Sequence, residues 1–181
     1  KKEYSTLVSE FMLQQTQVKT VIPYFNNFLK DIPNFQSLAI VGEAKLLKHW
    51  QGLGYYSRAK NLKKSAKMIV DNYSGRLPDN FEELKKLPGV GDYTASAISA
   101  IAFNQKIIPL DGNIERVLKR ILNLKTEEEI KKVNLHKQKK IFGKTSRSSD
   151  YAQALMEIGA LLCKPKNPYC DKCPITKNCL S

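Results

Sequence analysis

The chain has 181 residues, of which 30 are Lys or Arg and 17 are Asp or Glu, so its formal net charge is +13. A length of this order suits one domain or two small ones. We expect neither a membrane span, which needs roughly 18–20 apolar residues in a row, nor a secretion signal. The positive charge indicates a polyanionic partner, most often nucleic acid, although a Lys-rich solvated surface would also account for it.

Apolar side chains recur at helical spacing through most of the chain, so the sequence predicts an all-α protein. One helix is expected at residues 4–12 and a second at residues 18–28, with a turn or kink at Pro23. Further apolar stripes are formed by Leu62, Ala66, Ile69 and Val70, by Ile114, Val117, Leu118, Ile121 and Leu122, and by Tyr151, Leu155, Ile158 and Leu162. Residues 125–149 are rich in Lys, Glu and Ser, which predicts a surface stretch.

The segment Leu-Pro-Gly-Val-Gly at residues 87–91 stands between two helical patterns. Asp79 or Asn80 can cap the first helix, which should end near Leu87, and the second should begin near Asp92. Two glycines in five residues let backbone N–H groups approach an anion, and the N-terminus of the second helix adds positive potential. A DNA phosphate fits such a site, and an ordinary turn between helices is the alternative.

All four cysteines lie near the end of the sequence, with the spacing C-x6-C-x2-C-x5-C. They are Cys163, Cys170, Cys173 and Cys179. Four thiols in one short loop, without a secretion signal, indicate a metal or cluster site rather than a set of disulfides.

These motifs together resemble the helix-hairpin-helix DNA glycosylases related to endonuclease III. Residues 87–95 look like their hairpin, and the Asp in Leu-Asp-Gly-Asn at residues 110–113 stands where that superfamily carries an Asp. Within the superfamily, Ser-Glu-Phe-Met-Leu-Gln-Gln-Thr-Gln-Val at residues 9–18 is similar to the signature of the MutY-type adenine glycosylases. So is Gly-Leu-Gly-Tyr-Tyr-Ser-Arg-Ala at residues 52–59. The match runs in order through essentially the whole chain.

The resemblance implies a two-lobed helical bundle with a helix-hairpin-helix at about residues 80–102 and a C-terminal iron-sulfur cluster loop. Residues 1–106 should form a six-helix barrel module, and residues 107–181 a cluster module with the catalytic Asp at the cleft between the lobes. The expected cofactor is a [4Fe–4S] cluster held by the four thiolates. Zinc is the alternative, but structural zinc sites more often have two close cysteine pairs, and only Cys170 and Cys173 form one here.

Breaking an N-glycosidic bond requires a proton on the leaving base and support for a sugar with oxocarbenium character, so two carboxyl groups flanking the bond suit the reaction. By resemblance, Glu10 is the acid that protonates adenine. Asp111 matches the carboxylate that stabilises the sugar cation, and a plain helix N-cap is its alternative role. Tyr93 and Asn113 match residues placed near the reacting sugar.

The same resemblance assigns contact with DNA to two loops. Gln14, Gln15 and Thr16 should lie at a joint between helices, with the last two against the base opposite the extruded adenine. Tyr55 should enter the base stack as a wedge, although we expect at least one of Tyr55 and Tyr56 to pack in the core instead. Further contacts are expected from Leu87, Gly89, Val90 and Gly91 of the hairpin, from Arg58, and from Glu157 near the adenine pocket. Arg58 opens a basic run to residue 67 that is either a phosphate-facing edge or a solvated face.

One departure from the family concerns the reaction. Relatives that also cut the strand carry a Lys two residues after the second hairpin glycine, where an amine forms a Schiff base, and this chain has Tyr93. The sequence therefore predicts a monofunctional glycosylase that removes adenine mispaired with 8-oxoguanine or guanine in double-stranded DNA. Two alternatives stay open: an endonuclease III-like glycosylase for oxidised pyrimidines, and a cluster-bearing DNA-binding module without catalysis. We expect a cytoplasmic bacterial monomer, nucleoid-associated on DNA, with no membrane partner.

Overall fold

The computed structural model describes residues 1–136 and 142–181 of the chain. Helices alternate with loops in these two ranges, which contain no β-strand, so the prediction of an all-α protein is confirmed. No helix within the same ranges is long and apolar enough to cross a membrane. The chain divides into two compact units, Lys1–Ile98 and Ser99–Ser181, whereas the sequence placed the boundary at residue 106. The barrel form of the first module and the catalytic cleft stay predictions.

Seven helices begin in the first unit, and the last of them runs into the second. Their bounds are α1 (Lys2–Leu13), α2 (Val18–Asp31), α3 (Phe35–Ile40), α4 (Glu43–Trp50), α5 (Ser57–Asn72), α6 (Phe81–Lys85) and α7 (Asp92–Ile101). The first two confirm the helices predicted at residues 4–12 and 18–28. However, α2 continues through Pro23, so of the turn or kink predicted there, the turn does not form and the kink stays a prediction. Val21 and Phe28, which flank the proline, are both buried and hold α2 against the core.

The core of the first unit lies among α1, α2, α4 and α5. Phe11, Phe28, Trp50 and Leu62, one from each of these helices, have no exposed surface. The rings of Phe28 and Trp50 pack edge to face with their centroids 6.2 Å apart. Each such side chain contributes roughly 1.5–3 kcal/mol when it is fully buried. This packing fixes the ends of α1 and α4, from which the two predicted DNA-contacting loops extend.

The hairpin predicted between two helices is formed by α6, residues 87–91 and α7. Asn80 is the N-cap of α6, because its Oδ1 accepts hydrogen bonds from the N–H groups of Glu82 at 2.9 Å and Glu83 at 3.2 Å. The cap therefore falls on Asn80 rather than on Asp79, and it sets the point at which the chain enters the hairpin.

The second unit combines three helices in its described residues with a folded C-terminal loop. These elements are α8 (Gly112–Leu122), α9 (Glu127–His136), α10 (Ser148–Glu157), a π-helix that continues α10 (Ile158–Leu162), and two 3₁₀ turns (Cys170–Lys172 and Thr176–Asn178). Its core is formed by Ile108, Ile114, Val117, Leu118, Phe142 and Leu155. The apolar stripe predicted for α8 supplies three of them, so α8 packs as its periodicity predicts.

The expectation that residues 125–149 form only a surface stretch is wrong. The range includes α9 and two buried apolar side chains, Ile130 and Phe142. Residues 137–141 within it lie outside the described residues. Average composition conceals these positions because they are few within a stretch dominated by Lys, Glu and Ser.

Candidate active site

Glu10 lies on the buried face of α1. Only 6% of the residue is exposed, although its side chain carries an ionisable group. Among the residues that the structure describes, it is the one acidic residue in the buried set. A carboxyl group is costly to bury, so its presence beside fully buried Phe11 indicates a functional role more strongly than a surface acid would.

Asp111 is the N-cap of α8, as the alternative reading of its motif predicts. Its Oδ1 accepts a hydrogen bond from the Ile114 N–H at 2.7 Å. Its Oδ2 accepts one from the Asn113 side-chain amide at 3.4 Å. The carboxylate is half-buried and lies at the partially positive N-terminus of α8. The local structure therefore holds a carboxylate in one orientation while leaving part of it accessible.

Arg116 connects the surroundings of Asp111 to the cysteine loop, and the sequence did not reveal this role. Its guanidinium donates to the Asn113 Oδ1 at 2.8 Å and to the Gly159 carbonyl at 2.7 Å. It also donates to the Cys163 carbonyl at 2.7 Å. A Cβ on Gly159 would come within 2.8 Å of Asn113, so α8 and the π-helix approach closely here. In sequence, Arg116 is simply one of several basic residues on an amphipathic helix.

The four cysteines line one cavity of about 230 Å³ in the second unit. None of the four forms a disulfide bond. The Arg120 guanidinium donates to the Cys163 Sγ at 3.2 Å and to the Lys164 carbonyl at 2.8 Å. No three His, Cys, Asp or Glu side chains converge on a single-ion position within residues 1–136 and 142–181. Zinc would hold its sulfurs within about 4 Å of one another, whereas a four-iron cluster occupies the space between them, so a shared cavity fits the cluster better.

The loop after α1 is a tight turn. The Thr16 N–H donates to the Leu13 carbonyl at 3.1 Å, and Gln15 has a left-handed backbone with φ of 56°. Gln15 is exposed, as its predicted contact with the opposite base would require. The side chain of Gln14 instead faces the hairpin, where its amide donates to the Gly89 carbonyl at 3.2 Å. The turn is thereby joined to the hairpin.

The loop before α5 presents two aromatic side chains to solvent. Tyr55 is 63% exposed and Tyr56 is 44% exposed, so the expectation that at least one of them packs in the core is wrong. Tyr55 has a left-handed backbone with φ of 47°, which turns its side chain outwards instead of continuing into α5. The exposure of Tyr55 agrees with the predicted wedge.

Arg58 does not face solvent, so the expectation of a phosphate contact from this residue is wrong. The residue is 6% exposed, and its guanidinium donates to main-chain carbonyls of the first unit. The rest of the basic run behaves differently. Lys60 pairs with Glu43 at 2.8 Å, and Lys64 and Lys67 are exposed.

The hairpin offers fewer groups to an anion than the sequence indicated. Leu87 and Val90 are buried, and their N–H groups donate to the carbonyls of Leu84 and Leu87, so neither offers a free N–H group to an anion. The N–H groups of Gly89 and Gly91 have no backbone acceptor in the described part of the chain. Gly89 has a φ of 82°, and a Cβ there would come within 2.9 Å of the Phe11 ring, so glycine is required.

The remaining predicted site residues lie at helix ends. Tyr93 is in the first turn of α7 and is 37% exposed. Glu157 is the exposed last residue of α10, immediately before the π-helix. Glu10 and Asp111 belong to different units, and their meeting across a cleft stays a prediction.

Comparison with a family model and with curated proteins relates the chain to DNA repair glycosylases. A family model described as HhH-GPD superfamily base excision DNA repair protein matches residues 8–141. The chain is 42% identical to an adenine DNA glycosylase of Buchnera aphidicola subsp. Baizongia pistaciae over 100% of its own length and 52% of that relative. It is 40% identical to the adenine DNA glycosylase of Mus musculus over 99% of the chain and 35% of that relative. The chain thus spans about half, or less, of the curated relatives that it matches.

Solved structures agree with the all-α fold. A thermostable thymine-DNA glycosylase superposes with a TM-score of 0.84 at 27% identity, covering 99% of this chain and 83% of that one. Endonuclease III in a non-covalent complex with DNA superposes with a TM-score of 0.81 at 25% identity, covering 99% and 84%. The predicted resemblance to endonuclease III-like proteins is confirmed.

Replacing Arg116 tests its connection between α8 and the cysteine loop. We expect Arg116→Lys to lower the free energy of unfolding by about 2–4 kcal/mol, because an ammonium cannot reproduce a fork that reaches several acceptors. Denaturant unfolding measures the change. Arg147→Lys is the matched control, since the Arg147 side chain is 79% exposed and pairs only locally with Asp150. Equal stability of the two variants would contradict the connection.

Proposed function

Because the chain belongs to the HhH-GPD superfamily of base excision DNA repair proteins, we propose that it is the catalytic part of a glycosylase that hydrolyses the N-glycosidic bond of adenine in DNA. The observation that carries this proposal is the buried acid Glu10, which lies within the segment similar to MutY-type signatures. Relatives named adenine DNA glycosylase at 39–42% identity support the choice of base.

Glu10 supplies the proton in the proposed reaction. As the bond between sugar and adenine breaks, its electron pair passes to the base, and the Glu10 carboxyl group protonates a ring nitrogen of the base. Water then adds to the sugar and returns its proton to the Glu10 carboxylate. Burial on α1 supports this role because it shields the carboxyl group from bulk water, which would otherwise compete for the transferred proton.

Asp111 stabilises the positive charge that develops on the sugar. Its Oδ1 is held by the Ile114 N–H and its Oδ2 by Asn113, so the carboxylate need not reorient during the reaction. Arg116 holds Asn113 in turn through a 2.8 Å hydrogen bond. The N-cap and the catalytic carboxylate are therefore compatible roles of one side chain.

We assign mispair recognition to the two exposed loops. Chemistry on a base requires its extrusion, and a side chain must take the vacated position. The exposed ring of Tyr55 supports a wedge role, and exposed Gln15 with neighbouring Thr16 supports contact with an opposite 8-oxoguanine or guanine. The amides of Gly89 and Gly91 and the start of α7 would bind one phosphate of the duplex. The enzyme would act as a monomer on the bacterial nucleoid in the cytoplasm.

The [4Fe–4S] cluster is the proposed cofactor, held by Cys163, Cys170, Cys173 and Cys179. The shared cavity and the hydrogen bond from Arg120 to the Cys163 Sγ support this assignment. When bound, the cluster would cross-link the C-terminal loop and provide a centre able to exchange one electron. Arg120 and Arg116 would hold that loop against α8 through its main-chain carbonyls.

Substituting the two carboxylates tests the proposed mechanism. Glu10→Gln should lower excision of adenine by at least about 10³-fold while DNA binding is retained, because the amide cannot donate the proton. Asp111→Asn should lower it by about 10³-fold without unfolding α8, since Asn is an equally good N-cap and only the charge is lost. Single-turnover assays on duplexes with A:8-oxoguanine, A:G and an oxidised pyrimidine measure the rates.

Glu3→Gln provides the control, because it makes the same substitution at a more exposed position of α1 and should leave excision unchanged. Full activity of Glu10→Gln would refute the assigned acid. Excision of the oxidised pyrimidine instead of adenine would favour the endonuclease III-like alternative. Tight DNA binding without any excision would favour a non-catalytic module.

Borohydride trapping tests the monofunctional assignment, which depends on the absence of an amine at position 93. Tyr93 cannot form a Schiff base with the opened sugar, so borohydride should trap no adduct during adenine excision. Gel electrophoresis of the reaction in borohydride checks this outcome. A stable adduct that disappears on replacing one particular Lys would contradict it, whereas weak trapping spread over many lysines would not.

Metal analysis tests the proposed cofactor. We expect about four iron atoms per chain and an absorbance band at about 400 nm. Cys170→Ser should lose both, because it removes one of the four ligands. One zinc atom per chain without visible absorbance would instead support the zinc alternative.

A further inference from the structure

Arg58 is a buried cation at the start of α5 that holds the end of α1. Its Nη1 donates to the carbonyls of Phe11 at 3.1 Å, Met12 at 2.7 Å and Gln14 at 2.6 Å. The first two belong to the last turn of α1, where carbonyls have no partner within the helix. Arg58 therefore caps α1 from more than 40 residues away in sequence.

The other side of the same guanidinium holds the loop before α5. Its Nη2 donates to the carbonyls of Leu53 and Gly54, both at 3.1 Å. The charge also lies over two rings, 5.5 Å from the centroid of Trp50 and 5.7 Å from that of Tyr55. One side chain thus fixes both loops that the proposed function assigns to DNA.

Two of the carbonyls that Arg58 binds belong to the residues immediately before two residues with a strained backbone. Gln14 precedes Gln15, which has a φ of 56°, and Gly54 precedes Tyr55, which has a φ of 47°. L side chains rarely adopt this left-handed backbone, and it persists where the surrounding structure determines it fully. Both side chains that the strain turns outwards are exposed.

Stability alone does not account for a charge at this position. Burial lowers the pKa of the Arg58 guanidinium from its ordinary value, and the nearby Tyr55 opposes that shift. The Arg58 Nε has no hydrogen-bond partner among the described residues. A buried charge with an unpaired donor is a poor way to gain stability, and an apolar side chain of similar volume often serves better.

We propose that Arg58 is a positioning residue for mispair recognition, which holds Gln15 and Tyr55 at a fixed spacing so that both contact the duplex at once. The proposal rests on the proposed function, which places these two side chains on DNA. A Lys cannot replace Arg58, because its ammonium is a single point of charge and the carbonyls lie on two sides of a planar fork.

The test compares selectivity rather than activity. For Arg58→Lys, single-turnover excision rates are measured with adenine opposite 8-oxoguanine and opposite cytosine. We expect the ratio of the two rates to fall at least tenfold. A merely structural role would reduce the amount of folded enzyme equally for both duplexes, so it would leave this ratio unchanged. Arg76→Lys is the matched control, since Arg76 is exposed in the same unit and should retain the parent ratio.

A second measurement tests the hold of Arg58 on the two loops without depending on adenine excision. Amide hydrogen exchange without DNA should become faster at residues 13–17 and 53–56 in Arg58→Lys, and should stay unchanged in α3 and in Arg76→Lys. If Arg58→Lys does not fold, Arg58→Met removes the fork without a buried charge and should give both results. Unchanged exchange in the two loops, or a retained ratio, would overturn the proposal. A parent protein that excises no adenine but shows the exchange difference would refute the proposed function, and with it the role in mispair recognition, and would leave supported only the hold of Arg58 on the two loops.

Discussion

Main-chain groups at the ends of helices need partners, and at several helix ends of this protein charged side chains provide them. Arg58 bonds the last carbonyls of α1, and Asp111 accepts from the first turn of α8. Arg116 and Arg120 bond carbonyls where the π-helix gives way to the cysteine loop. Helix ends are also where the proposed catalytic and DNA-reading residues lie. The side chains that bond the unpaired main-chain N–H and C=O groups at helix ends therefore also hold the proposed site residues in place.

Local motifs predicted much of this arrangement, because their contacts lie within a few residues. The Asp111 cap spans three residues, and the amphipathic stripe of α8 supplies part of the core as its period predicts. The roles of Arg58 and Arg116 could not be read in the same way, because each also bonds carbonyls that lie more than 40 residues away in the sequence. At least one of Tyr55 and Tyr56 was expected in the core, but both are exposed in a loop where Tyr55 has a left-handed backbone.

One signal in the sequence could have identified Arg58. It stands four residues before Leu62, which stands four before Ala66, so all three occupy one face of α5. Leu62 and Ala66 are fully buried, and Arg58 lies with them. The lysines of the same basic run, such as Lys60 and Lys64, occupy other faces and are exposed. Helical periodicity separates structural from solvent-facing cations where a count of basic residues cannot.

Positive charge consequently has two separate uses in this chain. The surface lysines contribute most to the net charge of +13, which in the proposed function would attract any duplex through its phosphates without reading the base sequence. Base recognition is proposed for neutral side chains, Gln15 and Tyr55, whose spacing depends on a buried Arg. Because Arg58 is shielded from phosphate, its interactions depend little on salt, whereas attraction by the lysines weakens as salt rises. The strength of DNA binding and the geometry of recognition can therefore change independently, since different cations control them.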